Sequence, residues 1–139
     1  MQPLVVHVAT PLRLLVLIGG GVTNNLLAAL RESPADVALR DAAEKGAVVA
    51  AIGAAAACFG THARDMRGGT TALPALGWLA NTVVDTPFDA ENDTMLRRLM
   101  SVPGTQLGLG IPPRTALAIH ADGSTEIVGR GPIAAFRKS

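Results

Sequence analysis

The chain is short of aromatic residues, of cysteine and of any charge imbalance, and each shortage excludes something. Aromatic residues make up only 3% of its 139 positions and tyrosine is absent. The core therefore has to be assembled from aliphatic side chains and alanine. A lone cysteine, Cys58, excludes an internal disulfide and a cysteine-based zinc site. The 12 Lys and Arg nearly balance the 11 Asp and Glu, for a formal net charge of +1. With no basic run and no basic–aromatic interleaving, nucleic acid is not an expected partner. The first residues lack the basic start of a secretory signal, and Arg13 interrupts the apolar stretch behind them. No run reaches the ~20 apolar residues of a membrane span, so a cytoplasmic, membrane-free protein is the default expectation.

What is present is apolar and small-residue rich. Hydrophobic residues make up 49% of the chain and the mean hydropathy is +0.36, which argues against disorder. A mass of 14.2 kDa fits one domain over residues 1–139 with a single core. No sequence repeat and no linker divides it.

The hydrophobic patterning predicts strands alternating with helices. Leu4 to Ala9 reads as a short strand and Arg13 to Ile18 as a buried one. Only Thr10-Pro-Leu12 joins them, too short for a parallel crossover, so the two must pair as a hairpin or the first must leave the domain. Gly19-Gly-Gly21 ends the second strand, and Thr23 or Asn24 is placed to cap a helix through Arg31. Ser33-Pro34 opens a helix over Ala35 to Lys45, with Ala35, Leu39, Ala42 and Ala43 on one face and Gly46 as its stop. A strand to Ile52, a helix or loop through Asp65 and a loop from Met66 to Leu76 follow. Asn81 to Asp85 reads as a strand, Ala90 to Val102 as a helix, and Gln106–Ile111, Thr115–Ala121, Thr125–Val128 and Pro132–Phe136 as short strands split by turns. The expected fold is α/β, a mostly parallel sheet flanked by helices with antiparallel strands at the C-terminus.

The densest signal is Gly46-Ala-Val-Val-Ala-Ala-Ile-Gly53-Ala-Ala-Ala-Ala-Cys58-Phe-Gly60. A β-branched run ends in a glycine and a row of small residues, with a helix beyond. That is the outline of a nucleophile elbow, the sharp strand-to-helix turn that lifts a serine or cysteine out of a sheet. The expected elbow position reads Ala55, which carries no nucleophile.

Four stretches in order then resemble the serine peptidases of the cyanophycinase and dipeptidase E family. Ile18-Gly-Gly-Gly21-Val-Thr-Asn-Asn-Leu-Leu27 is similar to the family's glycine-rich turn, and Gly46 to Ala57 to its G-x-V-x-x-G-T-S-A-G-A elbow. Gly77-Trp-Leu-Ala-Asn-Thr-Val-Val-Asp85-Thr-Pro-Phe88 resembles G-L-L-P-x-x-V-V-D-Q-H-F. Gly108-Leu-Gly-Ile111-Pro-Pro-Arg-Thr115-Ala-Leu117, with Val128-Gly129, resembles G-I-G-I-D-E-x-T-A-L and its late turn. The resemblance implies a class I glutamine-amidotransferase-like, flavodoxin-like fold and a serine nucleophile with a histidine base. The departures fall on that chemistry. The family serine corresponds to Ala55, its histidine to Pro87, and the Asp-Glu pair to Pro112-Pro113. Only the glycine-rich turn, which would supply oxyanion amides, survives as Gly20 and Gly21. The resemblance further implies that the family's opening strand–helix units are missing or reduced to residues near 4 to 9.

A hydrolase of this type needs an oxygen nucleophile, a base and oxyanion donors, so the resemblance implies a catalytically silent relative acting as an oligomeric or interaction module. The alternative is a hydrolase rebuilt on Cys58 and His62. Cys58, His62 and Asp65 stand at i, i+4 and i+7, one face of any helix that runs through them, and a histidine beside a cysteine can activate it. Against this, Cys58 can equally be a small apolar residue packed in an alanine helix. Gly19–Gly21 lacks the lysine of a phosphate-binding loop and reads as a turn. His7 and His120 lack a third metal ligand, and Asp89, Glu91 and Asp93 ahead of Arg97 and Arg98 make an ordinary solvated helix face. No cofactor or metal is expected. An uncovered sheet edge predicts a two-fold homodimer to which Leu4 to Ala9 contributes.

Overall fold

The protein is described here by a computed structural model covering residues 4–8 and 13–139. The Thr10-Pro-Leu12 connection lies outside these residues. Strand β2 (Arg13–Ile18) is the centre of the first sheet. Strand β1 (Leu4–Val8) pairs with it antiparallel, as the short connection requires, and β3 (Val48–Ala51) lies parallel on its other side with Ala51 opposite Ile18. The alternation of a strand sends Leu14, Val16 and Ile18 to one face, where they meet Val49, Ala51, Leu39 and Ala55.

The β2–β3 crossover carries two helices, α1 (Thr23–Leu30) and α2 (Pro34–Glu44). Helix α2 begins as its sequence predicts, with the Ser33 hydroxyl accepting from the Asp36 amide at 3.3 Å and Pro34 in the first turn. It stops at Gly46, whose amide donates to the Ala43 carbonyl at 3.0 Å. Helix α1 differs from expectation. Neither Thr23 nor Asn24 caps it; Val22 holds the cap position without a side-chain bond. Both polar side chains are taken instead by Arg64 and the two residues that follow it.

The chain then forms α3 (Ala54–Ala57), the antiparallel pair β4 (His62–Arg64) and β5 (Ala72–Pro74), β6 (Thr82–Asp85), α4 (Thr94–Met100) and β7 (Leu107–Gly110). The expected helix or loop through Asp65 and loop to Leu76 are replaced by this β4–β5 pair. Helix α4 starts later than Ala90 because Asp89 accepts from the Glu91 amide at 2.9 Å and bridges to Asn92. A short acid that bonds its own following backbone competes with the helix. Strands β6 and β7 are parallel, and β10 (Ala134–Arg137) returns antiparallel to β7. Strands β8 (Thr115–Ile119) and β9 (Thr125–Gly129) form a hairpin by themselves.

The fold is α/β. The described strands are divided among four small sheets, the mixed β1-β2-β3 and β10-β7-β6 and the antiparallel pairs β4-β5 and β8-β9. Side chains buried between them form three clusters: Val16, Ile18 and Ala55; Leu27, Ala57, Cys58, Ala63 and Leu76; and Val83, Phe88, Leu96 and Leu99 beneath α4. Leu26 and Phe59 pack against both of the first two. Among the described residues no helix is long and apolar enough to cross a membrane.

Candidate functional site

The strand-to-helix turn is present, and its geometry turns on Gly53. Strand β3 stays paired one residue beyond its end, through the Ile52 amide and the Ile18 carbonyl at 3.0 Å. Gly53 then adopts φ 63° and ψ −130°, and the helix begins at once, with Ala56 donating back to the Gly53 carbonyl at 2.9 Å. This backbone is the strained conformation that L side chains seldom adopt. A Cβ built at Gly53 meets no atom within 4 Å, so the position opens outward.

Ala55, the expected vestigial nucleophile position, sits elsewhere. It lies inside α3 with its methyl buried against Val16 and Ile18. The residue at the apex, two positions earlier, is the one a nucleophile elbow would present. The signal that could have located it is the glycine itself, the residue that tolerates a positive φ between a strand and a helix.

The glycine-rich turn comes to the same end of the sheet. Because β2 and β3 are parallel with Ile18 opposite Ala51, Gly20 and Gly53 each stand two residues past that pair. Gly20 and Gly21 have φ 42° and 96°, and open space surrounds the Cβ position of Gly20. Crevices beyond the carboxyl ends of parallel strands are where α/β sheets bind ligands.

Pro87, at the expected base position, is exposed just past the end of β6. The segment around it is held against β7 by the Ile111 amide on the Asp85 carbonyl and the Phe88 amide on the Ile111 carbonyl, at 3.0 and 2.9 Å. Asp85, half-buried there, has its carboxyl pushed above the usual range by burial, with the Arg64 charge pulling the other way.

Cys58 and His62 do not form a pair on one helix face. Helix α3 ends at Ala57, and the chain turns into β4 with His62 paired to Pro74. Past the helix the backbone runs against β6: a Cβ at Gly60 would stand 2.7 Å from the Thr82 carbonyl oxygen, which accepts from the Thr61 amide at 2.8 Å. Cys58 is 1% exposed among Leu27, Ala63 and Leu76, and burial pushes its thiol up to about 12. A thiol in that state is a poor nucleophile. The buried Nδ1 of His62 has no hydrogen-bond partner among the described residues.

Asp65, the third member of that spacing, organises a loop. Its carboxylate accepts from the Arg67 and Thr70 amides and from the Asn24 side chain at 2.9, 2.8 and 2.7 Å. These donors hold its pKa down to about 2, the Asn24 bond contributing most. Thr23 completes the tie, donating its hydroxyl to the Arg64 carbonyl at 2.5 Å. An open depression of about 430 Å³ lies beside this loop, between Asn24, Arg31, Arg67 and Leu73, and does not include Gly20, Gly53 or Pro87 in its walls. His120 is exposed 3.7 Å from Glu126, and His7 stands opposite Leu14 in the β1–β2 ladder. Among the described residues no three His, Cys, Asp or Glu converge as a metal site.

The sequence profile of peptidase family S51 matches residues 13–127, which spans β2, the glycine turn, the Gly53 elbow, Pro87 and most of the β8–β9 hairpin. The chain belongs to peptidase family S51. The chain is 39% identical over 79 residues to the uncharacterized peptidase YgaJ of Bacillus subtilis (strain 168), a match covering 56% of this chain and 34% of that protein. The crystal structure of a peptidase from an acI-B1 Actinobacterium superposes with a TM-score of 0.74 at 21% identity, over 86% of this chain and 51% of the other. That likeness shows the peptidase's fold, and the S51 chain described here spans about a third to a half of the length of these relatives.

Proposed function

We propose that this chain is a degenerate, catalytically silent member of peptidase family S51, of class I glutamine-amidotransferase-like ancestry, that acts as a non-catalytic oligomeric or interaction module. One observation carries the reading: the apex of the elbow is Gly53, which has no side chain at all. Acyl transfer needs an oxygen or sulfur that attacks, a base within hydrogen-bond reach of it and donors for the oxyanion. Of the three, only the glycine turn at Gly20 and Gly21 is represented, since Pro87 has no ring nitrogen able to take a proton. The alternative hydrolase centred on Cys58 and His62 is disfavoured by the burial of the thiol and by the end of α3 at Ala57, which leaves His62 in β4 and off any helix face shared with Cys58.

The test is hydrolysis of aspartyl dipeptides and of a cyanophycin-like polymer by the purified chain. No turnover is expected, and none from Gly53→Ser alone, because the base is missing too. Turnover by the unaltered chain that disappears in Cys58→Ser would overturn the silent reading in favour of the rebuilt one.

A further inference from the structure

Helix α1 starts without a side-chain cap. Val22 offers none, and Thr23, only 2% exposed, donates its amide to the sulfur of Met66 at 3.4 Å. The first amides of a helix have no partner within it, and a thioether is a weak acceptor. A buried amide paired in this way is poorly satisfied, because water cannot reach it either. The approach of the sulfur is held in place by other bonds. Asn24 donates to Asp65 at 2.7 Å and accepts from the Met66 amide at 3.0 Å, and the Thr23 hydroxyl donates to the Arg64 carbonyl. The backbone of Met66 is tied to the helix whose first amide its sulfur meets.

Met66 is 45% exposed, whereas Met95 and Met100 pack against the cluster beneath α4. Exposure decides which sulfur an oxidant reaches. We propose that Met66 is a site of oxidation by peroxide and that its product caps α1, the sulfoxide oxygen replacing the sulfur as acceptor of the Thr23 amide. Hydrogen peroxide transfers one oxygen to a sulfur lone pair and leaves as water, so the sulfur is oxidised and the peroxide reduced. The sulfoxide is polar, and its partly negative oxygen suits both the amide and the positive end of the helix. The side chain is flexible and half in solvent, so it has room to withdraw and admit that oxygen. The same change at Met95 or Met100 would put a polar group among apolar side chains, at a cost that Met66 avoids. Gly21 runs into α1 through Val22 alone, so the modification acts close to the glycine turn.

The test treats the full chain with hydrogen peroxide, follows each methionine by peptide mass mapping and reads amide exchange at Thr23 by NMR, with circular dichroism to show that each sample is folded. Met66 is expected to gain oxygen before Met95 and Met100. The Thr23 amide should then exchange about fivefold more slowly, the worth of one ordinary hydrogen bond. Met66→Leu should exchange faster at Thr23 than the parent and not respond to peroxide. Met66→Gln, whose side-chain oxygen stands in for that of the sulfoxide, should be protected without peroxide. Oxidation of Met95 or Met100 as fast as Met66 overturns the proposal, as does Thr23 exchange that is unchanged or faster once Met66 is oxidised. A peroxide effect on Thr23 of the same size in Met66→Leu also overturns it, because the cause would then lie at another residue.

Discussion

Two glycines of this chain are required for opposite reasons, and a methyl group added to each separates them. At Gly53 the space is open and the backbone is the obstacle, with φ at 63°. Gly53→Ala is expected to cost about 1–3 kcal/mol of strain, reduced by the roughly 0.4–1 kcal/mol that alanine gains by stiffening the unfolded chain. At Gly110 the obstacle is a neighbour, because a Cβ would stand 2.5 Å from the buried ring of Phe88. Gly110→Ala is expected to cost about 1–3 kcal/mol as overpacking, and Phe88→Leu in the same chain should recover part of it. Denaturant unfolding of both alanine variants with and without Phe88→Leu checks this. Coupling between Phe88 and Gly53 as large as that with Gly110 would contradict the assignment. The same contrast explains why the elbow was legible as a motif and its apex was not. A run of alanines fits any of several registers by letter, and only the dihedral angle picks the residue that bears the turn.

At the scale of elements, one carboxylate ties α2 to the segment around Trp78, beside the packing of Leu39 on the core. Asp36 accepts from the Trp78 indole at 3.0 Å and from Arg40 Nε at 3.2 Å, within the first turn of its helix. Arg40 in turn donates to the Leu76 carbonyl at 2.5 Å and lies 5.1 Å from the centroid of Trp78, which packs edge-on to Phe59. Asp36→Ala removes the indole's acceptor and the helix-start charge together, and should cost about 1–2 kcal/mol. Emission of the single tryptophan should shift to the red as the 76–78 segment loosens; unchanged emission and stability would show that the contacts contribute little. None of this was legible in the sequence, because Asp36 and Trp78 are 42 residues apart and no periodicity links them. What was legible had a local cause: β2 from its unbroken aliphatic run, α2 from Ser33-Pro34 and Gly46, the β8–β9 hairpin from Asp122-Gly123. The i, i+4, i+7 spacing at Cys58 misled because the residues after it bond to distant strands, Thr61 to the Thr82 carbonyl and His62–Arg64 to β5, and a pattern within one segment does not reveal such tertiary pairing.

For the molecule as a whole, Asp65 and Asp85 give the stability opposite pH dependences. Asp65 has its pKa lowered from 3.8 to about 2 by the amides it accepts from. Its folded form binds fewer protons than the unfolded one, so its contribution is complete above about 4 and is lost as the pH falls towards 2. Asp85 is the reverse, since burial raises its pKa above 3.8. Its cost is absent below 3.8, grows as the pH rises through the raised value and is constant above it. Asp65→Asn should therefore lower the melting temperature at neutral pH and flatten the acid limb, with the difference from the parent shrinking towards pH 2. Asp85→Asn should raise the melting temperature at neutral pH and make no difference below pH 3.8, because burial outweighs the Arg64 attraction that the amide forgoes. Melting curves of the parent and both variants between pH 2 and 8 decide it. Parallel profiles for Asp65→Asn and the parent would mean that the 65–70 loop does not depend on the charge, and a destabilised Asp85→Asn would mean that Arg64 dominates over burial.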